Sequence, residues 1–150
     1  MTAGTAGRVI DGRSLLSQFK GGTQSPRAWA YCQLSNNYYV REAGWKLDQP
    51  QGNDVKREFE VQGMPNNEGK GFVDYVLWSG ERPLALVEAK RTRRDARVGQ
   101  QQAKLYADCL QTQFGQRPLI YTTNGYEHWF WDDTTYPPRP VQGFHKKDEL

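Results

Sequence analysis

The sequence predicts a single α/β domain with a central mixed β-sheet flanked by helices, and three observations lead to this fold class. Two apolar runs at 72–78 and 84–90 are separated by a short turn-forming segment, which is typical of a β-hairpin. Apolar residues then recur at helical spacing over 98–110, and another apolar run follows at 117–123. Because a helical crossover can lay the next strand parallel to the last, the hairpin and the crossover together predict a mixed sheet.

The first part of the chain carries weaker structural signals. Residues 1–24 are rich in Gly, Thr and Ala, which predicts a flexible lead. The Ser-Pro pair at 25–26 suits the start of a helix. The poor helix formers at 35–37 predict either that this helix breaks there or that a second helix runs from about 38 to 43 and ends at Gly44. Residues 58–61 alternate polar and apolar side chains, which predicts a strand before the hairpin.

The last part of the chain completes the predicted sheet. Gly115 suits the C-terminal end of the crossover helix, and the Asn-Gly pair at 124–125 is the strongest hairpin turn in the chain. The turn leads into a predicted strand at 126–131. Residues 134–150 contain a proline-rich stretch and a charged end, so they predict a linker or an exposed tail. The folded domain is therefore expected to span 25–133.

Composition and charge exclude several classes of protein. A formal charge of +3 is too small to require a polyanionic partner by itself. Cys32 and Cys109 are the only cysteines and form no zinc-binding pattern, so both are expected to be buried thiols. No apolar run approaches the length of a membrane span, and the first residues lack the regions of a signal peptide. These features predict a cytoplasmic protein without a membrane partner.

Three charged residues within the apolar hairpin define the candidate site. With a symmetric five-residue turn, Trp78 would face Leu84, Val76 would face Leu86 and Asp74 would face Glu88. The strand period of two would put Lys90 on the same face as Glu88. Two opposed carboxylates repel each other unless a cation lies between them. Because hard oxygen ligands suit Mg²⁺ or Mn²⁺, Asp74 and Glu88 predict a site for one of these ions.

A basic run follows this pair of acids directly. The run begins at Lys90 and continues with Arg91, Arg93, Arg94 and Arg97. Alone, such a run is as often a solvated loop as a binding surface. Beside a metal site, it predicts a rim that binds the phosphates of DNA.

The same residues carry a family resemblance. Asp74 and the segment Glu88-Ala89-Lys90, at the ends of neighbouring strands that a helix follows, resemble the PD-(D/E)xK nuclease motif. Gln102 and Tyr106 match the Gln-x-x-x-Tyr element of a subset of that superfamily, and their spacing puts them on one helix face. From about residue 39 onward the chain resembles the amino-terminal nuclease domain of the restriction (R, or motor) subunit of type I restriction-modification enzymes. The segments that carry this resemblance are Arg41-Glu42-Ala43-Gly44-Trp45, Val73-Asp74-Tyr75-Val76-Leu77, Val87-Glu88-Ala89-Lys90-Arg91, Tyr121-Thr122-Thr123-Asn124-Gly125 and Pro137-Pro138-Arg139.

The resemblance implies a metal-dependent DNA endonuclease. Asp74, Glu88 and the Ala89 carbonyl would hold Mg²⁺ or Mn²⁺, and Lys90 would orient the attacking water or stabilise the charge that develops on phosphorus. Gln102 and Tyr106 would orient Lys90, the waters on the metal or a backbone phosphate. Such domains usually carry a glutamate on the first helix, and residues 26–34 contain no acid. Glu42 and Glu60 are candidate substitutes.

The resemblance also implies partners, and two other functions stay open. Methylation and target recognition would belong to separate subunits, and ATP would act only through a motor domain that is absent from this chain, which has no Gly-x-x-x-x-Gly-Lys-[Ser/Thr] loop. One alternative is a catalytically silent DNA-binding or assembly module with the nuclease fold. The other is a repair nuclease of the RecB type, which shares the Gln-x-x-x-Tyr element.

Overall fold

A computed structural model describes residues 43–47, 52–90 and 94–150 of the chain. These residues form one six-stranded sheet in which the strands lie in the order of the sequence. The strands are β1 (Val55–Gln62), β2 (Lys70–Ser79), β3 (Arg82–Ala89), β4 (Leu119–Thr123), β5 (His128–Trp131) and β6 (Arg139–Val141). A 3₁₀ turn (Ala96–Gly99) leads into helix α1 (Gln100–Phe114), and a second 3₁₀ turn (Lys147–Glu149) lies near the end.

The sheet is mixed, as predicted. Strands β3 and β4 are parallel, and every other neighbouring pair is antiparallel. The parallel pair arises because α1 carries the chain back across the sheet between these two strands. Helix α1 ends at Gly115, whose φ of 73° suits a residue without a side chain. The predicted crossover helix and its glycine stop are therefore confirmed.

Each face of the sheet has its own apolar core. Helix α1 covers one face, where its buried side chains pack against apolar residues of four strands and Trp131 of a fifth. These strand residues are Val61, Val73, Val76, Trp78, Leu86 and Ile120. The second core contains Trp45, Leu47, Tyr75, Leu77, Tyr121 and Phe144. Cys109 is buried in the first core, which confirms its prediction as a buried thiol.

The turn of the β2–β3 hairpin is tighter than the sequence predicts. Val76 pairs with Leu86 as expected, but Trp78 pairs with Pro83 and not with Leu84. A bulge between Leu77 and Trp78 shifts the register, and only two residues, with Gly80 at a φ of 60°, connect the strands. The prediction of a symmetric five-residue turn is therefore wrong. On the site side of the bulge, the register still brings residue 74 to the level of residue 88.

Residues 139–150 are not the exposed tail that the sequence predicts. Strand β6 pairs with β5, and Phe144 packs edge-on against Tyr121 at 4.9 Å between ring centroids. The indole N–H of Trp45 donates to the carbonyl of His145 at 2.9 Å, and Lys147 pairs with Asp54 at 2.9 Å. The prolines indicated a linker, yet an edge strand tolerates proline because one side of it makes no ladder hydrogen bonds.

Other predictions fall outside the described residues. These are the lead at 1–24, the early helix or helices up to residue 42, Cys32, Glu42, Arg91 and Arg93. The predicted strand at 58–61 is confirmed as part of the longer β1. Among the described residues, no helix is long and apolar enough to cross a membrane.

Candidate active site

Asp74 lies where the regular pattern of β2 is interrupted. Val73 packs in the core that α1 covers, whereas Tyr75 packs in the core on the opposite face of the sheet. Because residues two apart in a regular strand lie on the same face, β2 is irregular between them. The paired residues of β2 and β3 end at Tyr75 and Val87. Beyond that point the N–H of Ala89 donates to Oδ2 of Asp74 at 2.6 Å. The Asp74 carboxylate therefore turns towards β3, and Ala89 contacts it through its N–H.

At the end of β3, buried Glu88 forms an ion pair with half-buried Lys90. Nζ of Lys90 donates to Oε1 of Glu88 at 2.6 Å, and the Glu88 side chain is only 5% exposed. The backbone N–H of Lys90 donates to the Thr123 carbonyl at 2.7 Å, which continues the parallel contact with β4. Because β3 is central in the sheet, the pair is fixed by strands on both sides.

Gln102 and Tyr106 continue this chain of contacts along α1. The Nζ of Lys90 also donates to Oε1 of Gln102 at 3.3 Å, and the Gln102 amide donates to the Tyr106 hydroxyl at 2.7 Å. Tyr106 is buried, and a Cβ atom at Gly71 of β2 would come within 2.7 Å of its ring. The helix spacing of four thus brings both side chains to the predicted site, where Gln102 contacts the lysine and Tyr106 holds Gln102.

Gly99 allows the start of α1 to approach the ion pair closely. A Cβ atom at this position would lie 2.8 Å from both Cγ of Glu88 and Cε of Lys90. These distances are too short for any residue with a side chain unless the pair moves. Gly99 is therefore a site residue that sequence reasoning missed, and its only signal was its place at the predicted helix start.

The electrostatics of the two carboxyl groups favour binding of a cation. Burial raises the pKa of Glu88 to about 7; the Lys90 hydrogen bond lowers it, and the nearby charge of Asp74 raises it. Burial also raises the pKa of Asp74, against the lowering effect of the Ala89 N–H. Oε2 of Glu88 is buried and has no hydrogen-bond partner among the described residues. A cation near Oε2 would satisfy this oxygen and stabilise both carboxylates.

The described part of the chain offers two carboxylates to a metal at this site, and no group of three or more metal-binding side chains occurs in it. Mg²⁺ is often held by one or two carboxylates, with water and substrate phosphate completing its coordination. The residues present therefore fit Mg²⁺ or Mn²⁺, and they do not suit a metal that needs nitrogen or sulfur ligands.

A third acid, Glu58, was missed by sequence reasoning. It lies between the pairs Arg57–Tyr75 and Phe59–Val73, at the level of Asp74, and its φ of 46° is unusual for a residue with a side chain. Its negative charge contributes to the raised pKa of Asp74. Glu60, the acid that the sequence suggested, contacts Lys70 at 3.5 Å and Gln62 at 2.6 Å instead.

Among the described residues of the basic run, Arg97 forms an ion pair, whereas Arg94 contacts the protein through its carbonyl. Arg97 donates to both carboxylate oxygens of Asp95, at 3.1 and 2.7 Å, and its guanidinium lies 5.4 Å from the Trp129 ring centroid. Arg94 is exposed, and its carbonyl accepts from the Asn124 amide at 2.9 Å. Asn124 therefore joins this loop to the β4–β5 turn, and the charge of Arg97 is already paired.

The two histidines make packing contacts within the sheet. His128 is buried, which lowers its pKa to about 4, and its Nδ1 contacts the Thr123 hydroxyl at 2.8 Å. His145 contacts the Tyr121 hydroxyl on the face of the sheet opposite to α1. These contacts give both histidines a structural role.

The raised pKa of Glu88 predicts an unusual dependence of stability on pH in the metal-free protein. Because the folded-state pKa exceeds the ordinary value of 4.5, the folded state binds more protons than the unfolded state between about pH 4.5 and 7. The contribution of Glu88 to the free energy of unfolding should therefore increase as the pH falls from 8 to 5. Urea unfolding at several pH values would measure it, and Glu88→Gln should remove the effect. An identical pH profile for both proteins would contradict the burial of an ionisable Glu88.

The comparisons with known proteins identify the family. The family model of the second domain of the type I restriction enzyme EcoKI endonuclease subunit matches residues 49–137. The chain belongs to this family, and it is a domain of a type I restriction enzyme endonuclease subunit. The predicted resemblance to this subunit is thereby confirmed, and the match specifies its second domain.

Two relatives show the extent of the similarity. The type I restriction enzyme EcoKI endonuclease subunit of Escherichia coli (strain K12) is 30% identical over 93 residues, which cover 54% of this chain and 8% of that protein. A fragment structure of a putative HsdR subunit of a type I restriction enzyme from Vibrio vulnificus YJ016 is 26% identical, with a TM-score of 0.58. That match covers 75% of this chain and 22% of the other. The chain thus spans a small part of either relative.

Proposed function

We propose that this domain is the metal-dependent DNA-cleaving module of a type I restriction enzyme and hydrolyses phosphodiester bonds. The observation that carries the proposal is the arrangement of Asp74, Glu88 and Lys90, in which a buried carboxylate with one unpartnered oxygen contacts a half-buried lysine. Membership of the restriction endonuclease family favours this function over a RecB-type repair nuclease.

Asp74 and Glu88 would hold Mg²⁺ or Mn²⁺, with the Ala89 carbonyl as the third protein ligand. Bound there, the ion would polarise the scissile phosphate and lower the pKa of a water molecule. The Ala89 N–H holds the Asp74 carboxylate beside the end of β3, through a hydrogen bond of 2.6 Å. The β3 backbone thus fixes Asp74 directly beside Ala89.

Lys90 would act on the reacting phosphate. Its ammonium is held by Glu88 on one side and by Gln102 on the other. A positive charge fixed in this way can stabilise negative charge that develops on phosphorus without having to reorganise. Tyr106 contributes by holding the Gln102 amide, so Gln102 and Tyr106 are positioning residues in this proposal.

The basic run would bind the DNA backbone, and its members should contribute unequally. Replacing Arg91, Arg93 and Arg94 with alanine should weaken binding of all DNA sequences alike and reduce its salt dependence, as expected for phosphate contacts. Arg97→Ala is the matched control and should have a smaller effect, because Asp95 already neutralises Arg97. Fluorescence anisotropy over a salt series would measure both. Equal salt slopes for wild type and the triple variant would mean that the run is a solvated loop.

The rest of the restriction complex would supply what this domain lacks. We propose that methylation and specificity subunits select the target and that an ATP-dependent motor delivers double-stranded DNA to the site. In this proposal ATP would act only through a motor outside this chain, which covers 8% of its curated relative.

A plasmid-nicking assay tests the proposed function. The wild-type chain should nick supercoiled plasmid in Mg²⁺, and chelation with EDTA should stop the reaction. Glu88→Gln should reduce nicking by at least about a hundredfold, because it weakens the metal contribution of several kcal/mol to transition-state stabilisation. Nicking that continues without metal would contradict the proposed metal site. No nicking by wild type, even within the assembled restriction complex, would support the silent DNA-binding module instead.

A further inference from the structure

Thr122 of β4 is, after Glu88, a second buried polar residue at this site with an unpartnered side-chain oxygen. Its side chain is almost completely inaccessible, with 1% exposure, and its Oγ1 has no hydrogen-bond partner among the described residues. Buried hydroxyl groups in proteins are usually hydrogen-bonded, so an unpartnered one suggests a partner that is not a protein atom.

The position of Thr122 relative to Glu88 indicates what this partner does. The two residues are register partners in the parallel β3–β4 pair, so their side chains are neighbours on one face of the sheet. Three buried side-chain atoms of the described residues have no hydrogen-bond partner, and two of them, Oγ1 of Thr122 and Oε2 of Glu88, belong to this neighbouring pair. The two atoms form no hydrogen bond with each other, and one small polar molecule between them could bond to both.

The adjacent Thr123, unlike Thr122, has hydrogen-bond partners for its hydroxyl. The Thr123 hydroxyl contacts Nδ1 of His128 at 2.8 Å and accepts from the Gly125 N–H at 3.0 Å. Thr123 thus stabilises the β4–β5 turn through protein contacts, whereas Thr122, on the other face, faces the Glu88 side.

We propose that Thr122 is a positioning residue of the nuclease site: its hydroxyl and Oε2 of Glu88 together bind one water molecule, which orients the Glu88 carboxylate towards the cation. A hydroxyl can donate and accept, and water can donate to the carboxylate, so each group in this arrangement is satisfied. Residues that orient metal-binding carboxylates commonly change metal affinity by 10- to 100-fold when they are removed. The inference rests on the proposed function, because it requires that Glu88 binds a cation.

Mn²⁺ binding to the full chain, measured by calorimetry at pH 8, tests this inference. Thr122→Val keeps the shape of the side chain and removes the hydroxyl, so we expect roughly tenfold weaker Mn²⁺ binding with little change in melting temperature. Thr122→Ser restores a hydroxyl and should recover most of the affinity. Thr123→Val is the matched control: it should lower the melting temperature, because it removes the contacts with His128 and Gly125, and leave Mn²⁺ affinity unchanged.

Three results would overturn the inference in distinguishable ways. If wild type binds Mn²⁺ and Thr122→Val binds it equally well, Thr122 is only a strand residue and the proposed metal site stands. If wild type binds no Mn²⁺, both this inference and the proposed function fail. Loss of affinity that serine does not restore would also overturn it, since the effect would then come from packing.

Discussion

Replacing Asp74 with alanine should abolish DNA cleavage, with a loss of at least about a thousandfold, and should weaken Mn²⁺ binding to a similar degree. The variant removes a proposed direct ligand, and contributions of several kcal/mol from metal ions correspond to such factors. It also leaves the Ala89 N–H, which now donates at 2.6 Å, without its acceptor. Calorimetry with Mn²⁺ and the nicking assay, performed in parallel, would measure both effects.

Asp74→Asn separates the two contributions of this side chain. Asparagine keeps an oxygen that can accept from the Ala89 N–H, so this variant should be as stable as wild type while it still loses cleavage. We expect both variants to stay folded, because neither change empties a large apolar volume. Full cleavage by Asp74→Asn would mean that the charge of Asp74 has no part in catalysis.

Lys90→Ala should separate chemistry from binding. The variant should bind Mn²⁺ and DNA but lose about 10²- to 10³-fold in cleavage rate, which is typical when one fixed group that stabilises transition-state charge is removed. Glu88 loses its 2.6 Å partner in this variant, which raises its pKa further. Binding should therefore be measured at pH 8.5, where Glu88 can still ionise.

Lys104→Ala is the control for this experiment. Lys104 also lies on the site's helix, but it contacts Asp133 at 3.8 Å and is more exposed than Lys90. It should keep wild-type cleavage. If Lys90→Ala cleaves DNA as well as Lys104→Ala does, Lys90 is a structural partner of Glu88 and not a catalytic residue.

The sequence predicted the strands of the site because local pattern determines them. Alternating or continuous apolar runs indicated β1 to β5, and the residue types in 72–78 and 84–90 brought Asp74 and Glu88 to the same end of the hairpin. The spacing of Gln102 and Tyr106 was enough to predict that both lie on one face of the helix, and the family resemblance implied that this face lies near the lysine. These features depend on periodicity, which a single sequence displays.

Other features depend on contacts between distant segments, which no local pattern contains. The bulge at Leu77 and the face change near Asp74 arise from how β2 fits its two neighbours. Glu58 comes near Asp74 only through the β1–β2 register, and Thr122 meets Glu88 only through the parallel β3–β4 pair. The burial of Phe144 likewise depends on a face of the sheet that forms from residues far away in the chain.

The most direct test of the proposed metal site is a crystal structure of the chain grown with Mn²⁺ and measured near the manganese absorption edge. We expect one anomalous difference peak between the carboxylates of Asp74 and Glu88, within about 2.3 Å of an oxygen of each, as for hard cations on oxygen ligands. A peak elsewhere with none between these carboxylates, in a crystal that binds Mn²⁺, would contradict the assignment of Asp74 and Glu88 as the metal-binding pair.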